Sequence, residues 1–244
     1  MRAVDRSDIG YFEADAPLAR RMQYCANVSW PRSGHHLLVA VLTALIGRRF
    51  GYCEFYTPRQ VPNSPCCGLF PCAKLDLICM SKNHDFQFDS VVPPGMKLIV
   101  QIRDYLPSMI SDFEVYVAVG NDDTVASFRR FAENRAHRYA RFRHRWIVPD
   151  LPDRLIVTYD DLTQNLEATL RTVAAFAELG AIGDEHFARA IQPPPKRRGI
   201  PHHEGPLIRP ARDPTAFRYY DEGFLKDIFA LAYGPMPSDE EHPL

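Results

Sequence analysis

Val28-Ser29-Trp30-Pro31-Arg32-Ser33-Gly34-His35-His36-Leu37-Leu38 reads as the end of a buried strand, a short turn carrying one cation and one glycine, and the first turn of an apolar helix. That order builds an anion cradle. The first amides of a helix have no intrahelical acceptor, the helix dipole favours negative charge there, and glycine lets the backbone approach closely. Arg32 adds a planar fork suited to phosphate or sulfate oxygens. The same residues are also ordinary turn chemistry, so a ligand-free strand–turn–helix junction is the competing reading. A triphosphate loop of the form G-x-x-x-x-G-K-[ST] does not fit, because Ser29 stands where an earlier glycine is needed and His35 where the lysine would be.

Working outward, Lys97-Leu98-Ile99-Val100-Gln101-Ile102-Arg103 is a short apolar run ending in a cation, the pattern of a buried parallel strand. Ligands of open α/β sheets bind outside the carboxyl ends of such strands, which sets Arg103 facing the same crevice as Arg32. Ser111 follows on the next helix, placed to offer a hydroxyl. Leu155 to Thr158 is another buried strand, running into Tyr159-Asp160-Asp161-Leu162 and then a helix from about Asn165 to Leu179. Past the apolar stretch Leu75 to Met80, Ser81-Lys82-Asn83-His84-Asp85 puts a lysine and a histidine two apart at a strand end.

Strands are predicted near Gln23–Trp30, Leu75–Met80, Lys97–Arg103 and Arg154–Tyr159. Helices are predicted near Gly34–Gly47, Pro107–Val119, Thr124–Trp146, Asn165–Leu179, Asp184–Ile191 and Asp221–Ala232. The alternation implies an α/β, P-loop-like three-layer fold with a central, mostly parallel sheet flanked by helices. In Thr124–Trp146, Phe128, Phe131, Tyr139, Phe142 and Trp146 fall near one face, while Arg129, Arg130, Arg138, Arg141 and Arg145 crowd the others. Such arginines either hold a polyanion or solvate a helix whose apolar stripe packs on the sheet; overall neutrality favours the second.

These motifs resemble the cytosolic-type sulfotransferase family, in a bacterial-like variant, whose donor is 3′-phosphoadenosine-5′-phosphosulfate (PAPS). Pro31 to Leu37 is similar to the family's P-[KR]-S-G-T-T-W loop, with His35 and His36 in place of the threonines and Leu37 in place of the aromatic. Arg103 and Ser111, eight apart, match its 3′-phosphate motif; Lys82-Asn83-His84 matches its K-T-H motif; Tyr159-Asp160-Asp161-Leu162 is similar to its Y-E-D-L strand end. Near the C-terminus Lys196-Arg197-Arg198-Gly199 fits the start of its R-K-G-x-x-G segment, but the next glycine is Gly205.

The resemblance implies sulfuryl transfer from PAPS to a hydroxyl or amine of a small-molecule or glycan acceptor. His84 would be the general base, and Arg32 and Lys82 would stabilise the leaving phosphate. Arg32, Ser33, Gly34, His35, His36, Arg103, Ser111, Tyr159, Arg198 and Gly199 would hold the donor. No metal is required in that scheme. Two rivals stand beside it: an ATP-dependent kinase of related fold, and a non-catalytic Cys-rich binding module.

Composition frames these expectations. The chain has 244 residues, enough for one substantial core, with residues 22–235 as a single domain between an N-terminal arm (1–21) and a tail (236–244). Residues 51–79 read as a Cys-rich insertion and 193–214 as a possible lid loop. A net charge of −1 gives no case for nucleic acid or an anionic membrane. Arg2, Asp5, Arg6, Asp8, Glu13 and Asp15 deny the start a secretory apolar core, and no apolar run has membrane-span length, so a cytoplasmic location is the expectation. Cys53, Cys66, Cys67, Cys72 and Cys79 crowd one segment, with Cys25 on the first strand. They read as free or packing thiols first, a structural zinc knot second, since adjacent Cys66-Cys67 is not a zinc C-x₂-C pair, and disulfides last, since a reducing cytosol disfavours them.

Overall fold

Strand β1 (Cys25–Ser29) is buried along its whole length and lies at the centre of a five-stranded sheet. The computed structural model describes residues 22–54, 67–75, 78–192 and 213–235. The remaining strands are β2 (Tyr52–Glu54), β3 (Met80–Asn83), β4 (Lys97–Ile102) and β5 (Arg154–Thr158), in the order β2-β3-β1-β4-β5. Every pairing is parallel. After β1 the chain crosses through α1 (His35–Ile46) to the β2 side; after β4 it crosses to β5 through α2 (Tyr105–Ala118) and α3 (Val125–Trp146). Strand order therefore reverses between β1 and β4. Their carboxyl ends form the crevice where this architecture takes ligands.

The two faces of the sheet carry different cores, as the period-2 alternation of β1 dictates. Cys25, Met80, Ile99 and Val157 face α1, α5 (Leu166–Phe176) and α6 (Asp184–Ala190). Ala26, Val28, Leu98 and Val100 face α2, α3 and α7 (Glu222–Tyr233). The helix α3 packs its aromatic stripe inward: Phe128, Tyr139, Phe142 and Trp146 are all buried. Its start is fixed by the Thr124 hydroxyl, which accepts from the Ser127 amide at 3.2 Å.

Two expectations need correction. The strand placed at Leu75–Met80 begins only at Met80, so Lys82 and Asn83 lie within β3 rather than beyond it. Register decides this: Met80 pairs with Cys25 and Lys82 with Asn27, and pairing with a buried central strand outweighs local apolarity. Tyr159 is not a strand end but the first residue of α4 (Tyr159–Gln164), started by a Thr158/Asp161 capping box. The helix expected from Asn165 is α5, and α4 is an additional short helix that meets it at Asn165. The arm 1–21, the tail 236–244, most of the possible lid, Cys66, Arg198 and Gly199 lie outside the described residues.

Candidate active site

The loop after β1 turns sharply, and two residues take left-handed backbone angles: Arg32 (φ 65°) and Gly34 (φ 85°). The second is where glycine is needed. A Cβ there would stand 3.0 Å from Leu162 Cδ1 and 3.1 Å from Tyr159 Cδ2. Gly34→Ala is therefore expected to lose about 1–3 kcal/mol from left-handed strain and crowding together. Urea unfolding measures the loss; a change below about 0.5 kcal/mol would show that the loop accommodates a side chain.

Arg32 turns its guanidinium toward α2, where Nε donates to Ser111 Oγ at 3.0 Å. Arg103 follows β4, is 8% exposed, and its Nη1 donates to the Arg32 carbonyl at 3.4 Å. Its guanidinium carbon lies 3.9 Å from the centroid of the Tyr159 ring, a cation–π contact. The Arg103 carbonyl in turn accepts from the buried Tyr139 hydroxyl at 2.9 Å. Arg32, Ser33, Gly34, Arg103, Ser111 and Tyr159 thus form one contiguous group at the crevice between β1 and β4. Ser33 is fully buried, and its Oγ has no hydrogen-bond partner among the described residues.

The adjacent β3 delivers Lys82 and His84. Lys82 is only 2% exposed. The His84 ring sits against the end of β1, with Nδ1 2.5 Å from the Ser29 carbonyl oxygen and 3.3 Å from Ser29 Oγ. Since a carbonyl only accepts, Nδ1 carries the proton, and Nε2 is the basic nitrogen. Burial, then the nearby Lys82 cation, push the imidazole pKa down to about 3. The residue after it, Asp85, is 1% exposed. Asp85 Oδ1 accepts from the Ser90 amide at 2.9 Å, and Oδ2 accepts from Trp146 Nε1 at 2.7 Å and pairs with Arg145 Nε at 3.0 Å.

The two histidines of the loop part company. His36 is exposed. His35 is buried and turns into the sheet. Its Nδ1 donates to Asn27 Oδ1 (2.8 Å) and Gln101 Oε1 (3.1 Å), while Nε2 accepts from the Tyr52 hydroxyl at 2.6 Å. Burial, then Lys82, hold its pKa well below the ordinary value, so the ring is neutral. Sequence reasoning placed His35 in the loop but missed this inward network. The alternation of β1, which sets Asn27 on the α1 face, was the available signal. It also missed the Asp85 clamp, whose partners Arg145 and Trp146 are distant in sequence.

Cys25, Cys67, Cys72 and Cys79 are free thiols; Cys67 Sγ and Cys72 Sγ lie 3.6 Å apart. Among the described residues there is no group of three or more metal-ligating side chains, and no helix long and apolar enough to cross a membrane.

No protein-family description matches this chain, and no curated protein matches it in sequence. Among solved structures, it is similar to the crystal structure of mouse sulfotransferase SULT7A1 complexed with PAP. The TM-score is 0.46 at 16% sequence identity, and the match covers 70% of this chain. The chain spans 63% of the length of that sulfotransferase chain.

Proposed function

We propose that the protein is a PAPS-dependent sulfotransferase, transferring a sulfuryl group to a hydroxyl or amine. The observation that carries this reading is the joining of Arg32, Ser111 and Arg103 at the β1/β4 crevice through hydrogen bonds of 3.0 and 3.4 Å. Two arginines joined in one group, one through its side chain to Ser111 and the other to the loop backbone, suit an anion with more than one charged end, as a nucleotide with 3′- and 5′-phosphates has. The unpartnered Ser33 hydroxyl beside the loop suits a phosphate oxygen. Arg103 and Ser111 are assigned to the 3′-phosphate, and Arg32 with the loop amides to the 5′ end. Tyr159, already under the Arg103 guanidinium, is assigned to the adenine side. His35 contributes its backbone N–H only, because both ring nitrogens serve the sheet. Arg198 and Gly199 remain donor-binding assignments on the resemblance alone.

In this scheme His84 Nε2 takes the proton from the acceptor hydroxyl or amine as its heteroatom bonds to sulfur. The bond from sulfur to the 5′-phosphate oxygen breaks, and its electron pair leaves with 3′-phosphoadenosine-5′-phosphate (PAP). Lys82 and Arg32 offset the charge that grows on that leaving phosphate.

ATP-dependent phosphoryl transfer is the rival, and His35 weighs against it. The position that would carry the phosphate-binding lysine holds a neutral imidazole turned away from the loop. Calorimetry separates the two readings. PAP is expected to bind at least tenfold tighter than ADP, because the 3′-phosphate meets Arg103 and Ser111. Equal affinities, or a preference for ADP with Mg²⁺, would overturn the donor assignment.

A further inference from the structure

A groove of about 400 Å³ runs along the outer face of α3, bounded by Tyr116 of α2 and lined by Arg130, Phe131, Asn134, Arg135 and Arg138. It opens beside the site just described. The Arg135 guanidinium carbon lies 5.8 Å from the centroid of the Phe86 ring, and that ring lies 5.1 Å from the ring of His84. Arg135 also pairs with Asp112 at 2.9 Å, on the helix that carries Ser111.

The charges of this groove do not cancel. Asp112 is taken by Arg135, Glu114 and Asp123 are both taken by Arg218, and Glu133, exposed on α3, has no ion pair with Arg130 or Arg138. Arg130 and Arg138 have no ion pair among the described residues. Arg138 is half-buried, and burial and then the cations Arg135 and Arg141 hold its pKa below the ordinary value. A chain with a net charge of −1 thus gathers three guanidinium groups around one concavity floored by the Phe131 and Tyr116 rings. Crowded cations beside aromatic faces are a receptor for an organic anion.

Resting on the sulfotransferase reading above, we infer that the acceptor is itself an anion, a hydroxylated molecule whose acidic group is held by Arg130 and Arg138 while its hydroxyl reaches His84. The shared chemistry is a singly or doubly charged oxyanion; carboxylate, sulfate and phosphate all supply it. Arg135 is the hinge between the two halves of the site, because it lines the groove and lies against Phe86.

Three probes with one phenol ring and one chain length test this: 3-(4-hydroxyphenyl)propionate, its methyl ester, and tyramine. Calorimetry is run on the PAP-saturated protein and on the protein alone, with the wild type and with R130Q/R138Q. Transfer rates are measured in parallel. The carboxylate is expected to bind roughly tenfold tighter than the ester, and tyramine weakest, with kcat/KM in the same order. R130Q/R138Q is expected to reduce the carboxylate-to-ester ratio to near one, and salt near 1 M, where the Debye length is about 3 Å, to shrink it in the wild type. The corresponding sulfate and phosphate monoesters show which oxyanion fits best.

Equal binding of carboxylate and ester, no binding of the carboxylate, or a ratio untouched in R130Q/R138Q overturns the anionic acceptor. Where PAP still binds, the donor reading survives that result. Loss of PAP binding with the carboxylate preference intact has the opposite meaning: an anion site exists without the proposed donor.

Discussion

His84→Ala is expected to lower kcat by about 10²–10⁴-fold, the usual contribution of a positioned general base, while changing PAP affinity less than about threefold. The separation follows from geometry. The imidazole touches the end of β1 through the Ser29 carbonyl, whereas the groups assigned to the phosphates are Arg32, Arg103, Ser111 and the loop amides. Single-turnover transfer and PAP calorimetry on the same variant make the comparison, and equal losses in rate and affinity would remove the proton-abstraction role.

The acidity of His84 sharpens the expectation. With a pKa pushed down to about 3, the ring is neutral throughout the neutral range, so kcat/KM should show no acid limb near 6.5 from this group in the free enzyme. The Lys82 cation is part of the cause, and an anion bound beside it offsets that field. PAP should therefore raise the His84 pKa, which is followed by the ring proton resonances on titration. The stability sign is the reverse of a salt-bridged histidine: the unfolded ring takes a proton below ~6.5 and the folded ring does not. Stability is full above ~6.5 and falls as pH drops toward 3, by up to about 1.4 kcal/mol per pH unit for each such group. His35 adds to the same slope.

Asp85→Ala should lose about 3–5 kcal/mol in urea unfolding and most of the transfer activity, because a 1% exposed carboxylate with three partners disappears. The Trp146 indole N–H and the Ser90 amide are left without their acceptor, and the turn that delivers His84 loses its anchor. Asp85→Asn keeps one oxygen acceptor and should lose roughly half as much. A loss under about 1 kcal/mol with normal turnover would show that β3 alone positions His84.

The parts of this molecule written in consecutive residues were legible in its sequence. The runs that became β1, β4 and β5 are apolar because both faces of a parallel sheet are covered, and the loop from Pro31 to Gly34 carries its own turn chemistry. What was hidden depends on partners far away. The three-residue β2 has no apolar run and exists through its pairing with β3. Lys82 looks like a loop cation until register sets it beside Asn27 in the sheet. Tyr159 reads as a strand end, since only the reciprocal Thr158/Asp161 bonds reveal a helix starting there. The aromatic stripe of α3 packs inward as its pattern suggests, whereas its arginines divide between ion pairs, such as Arg129 with Asp221 and Arg145 with Asp85, and the groove. Which of them lack an acid shows only once Arg218, from a distant segment, claims Glu114 and Asp123.

Moored at both imidazole nitrogens to three other side chains, the first residue of α1 cannot swing when a ligand arrives. The conformational freedom of the neighbouring turn is surrendered once, as the polypeptide folds, and does not have to be surrendered again at each encounter. Tyr52→Phe, which loosens one of those moorings without touching His84, would accordingly be felt as weaker nucleotide capture rather than as slower chemistry.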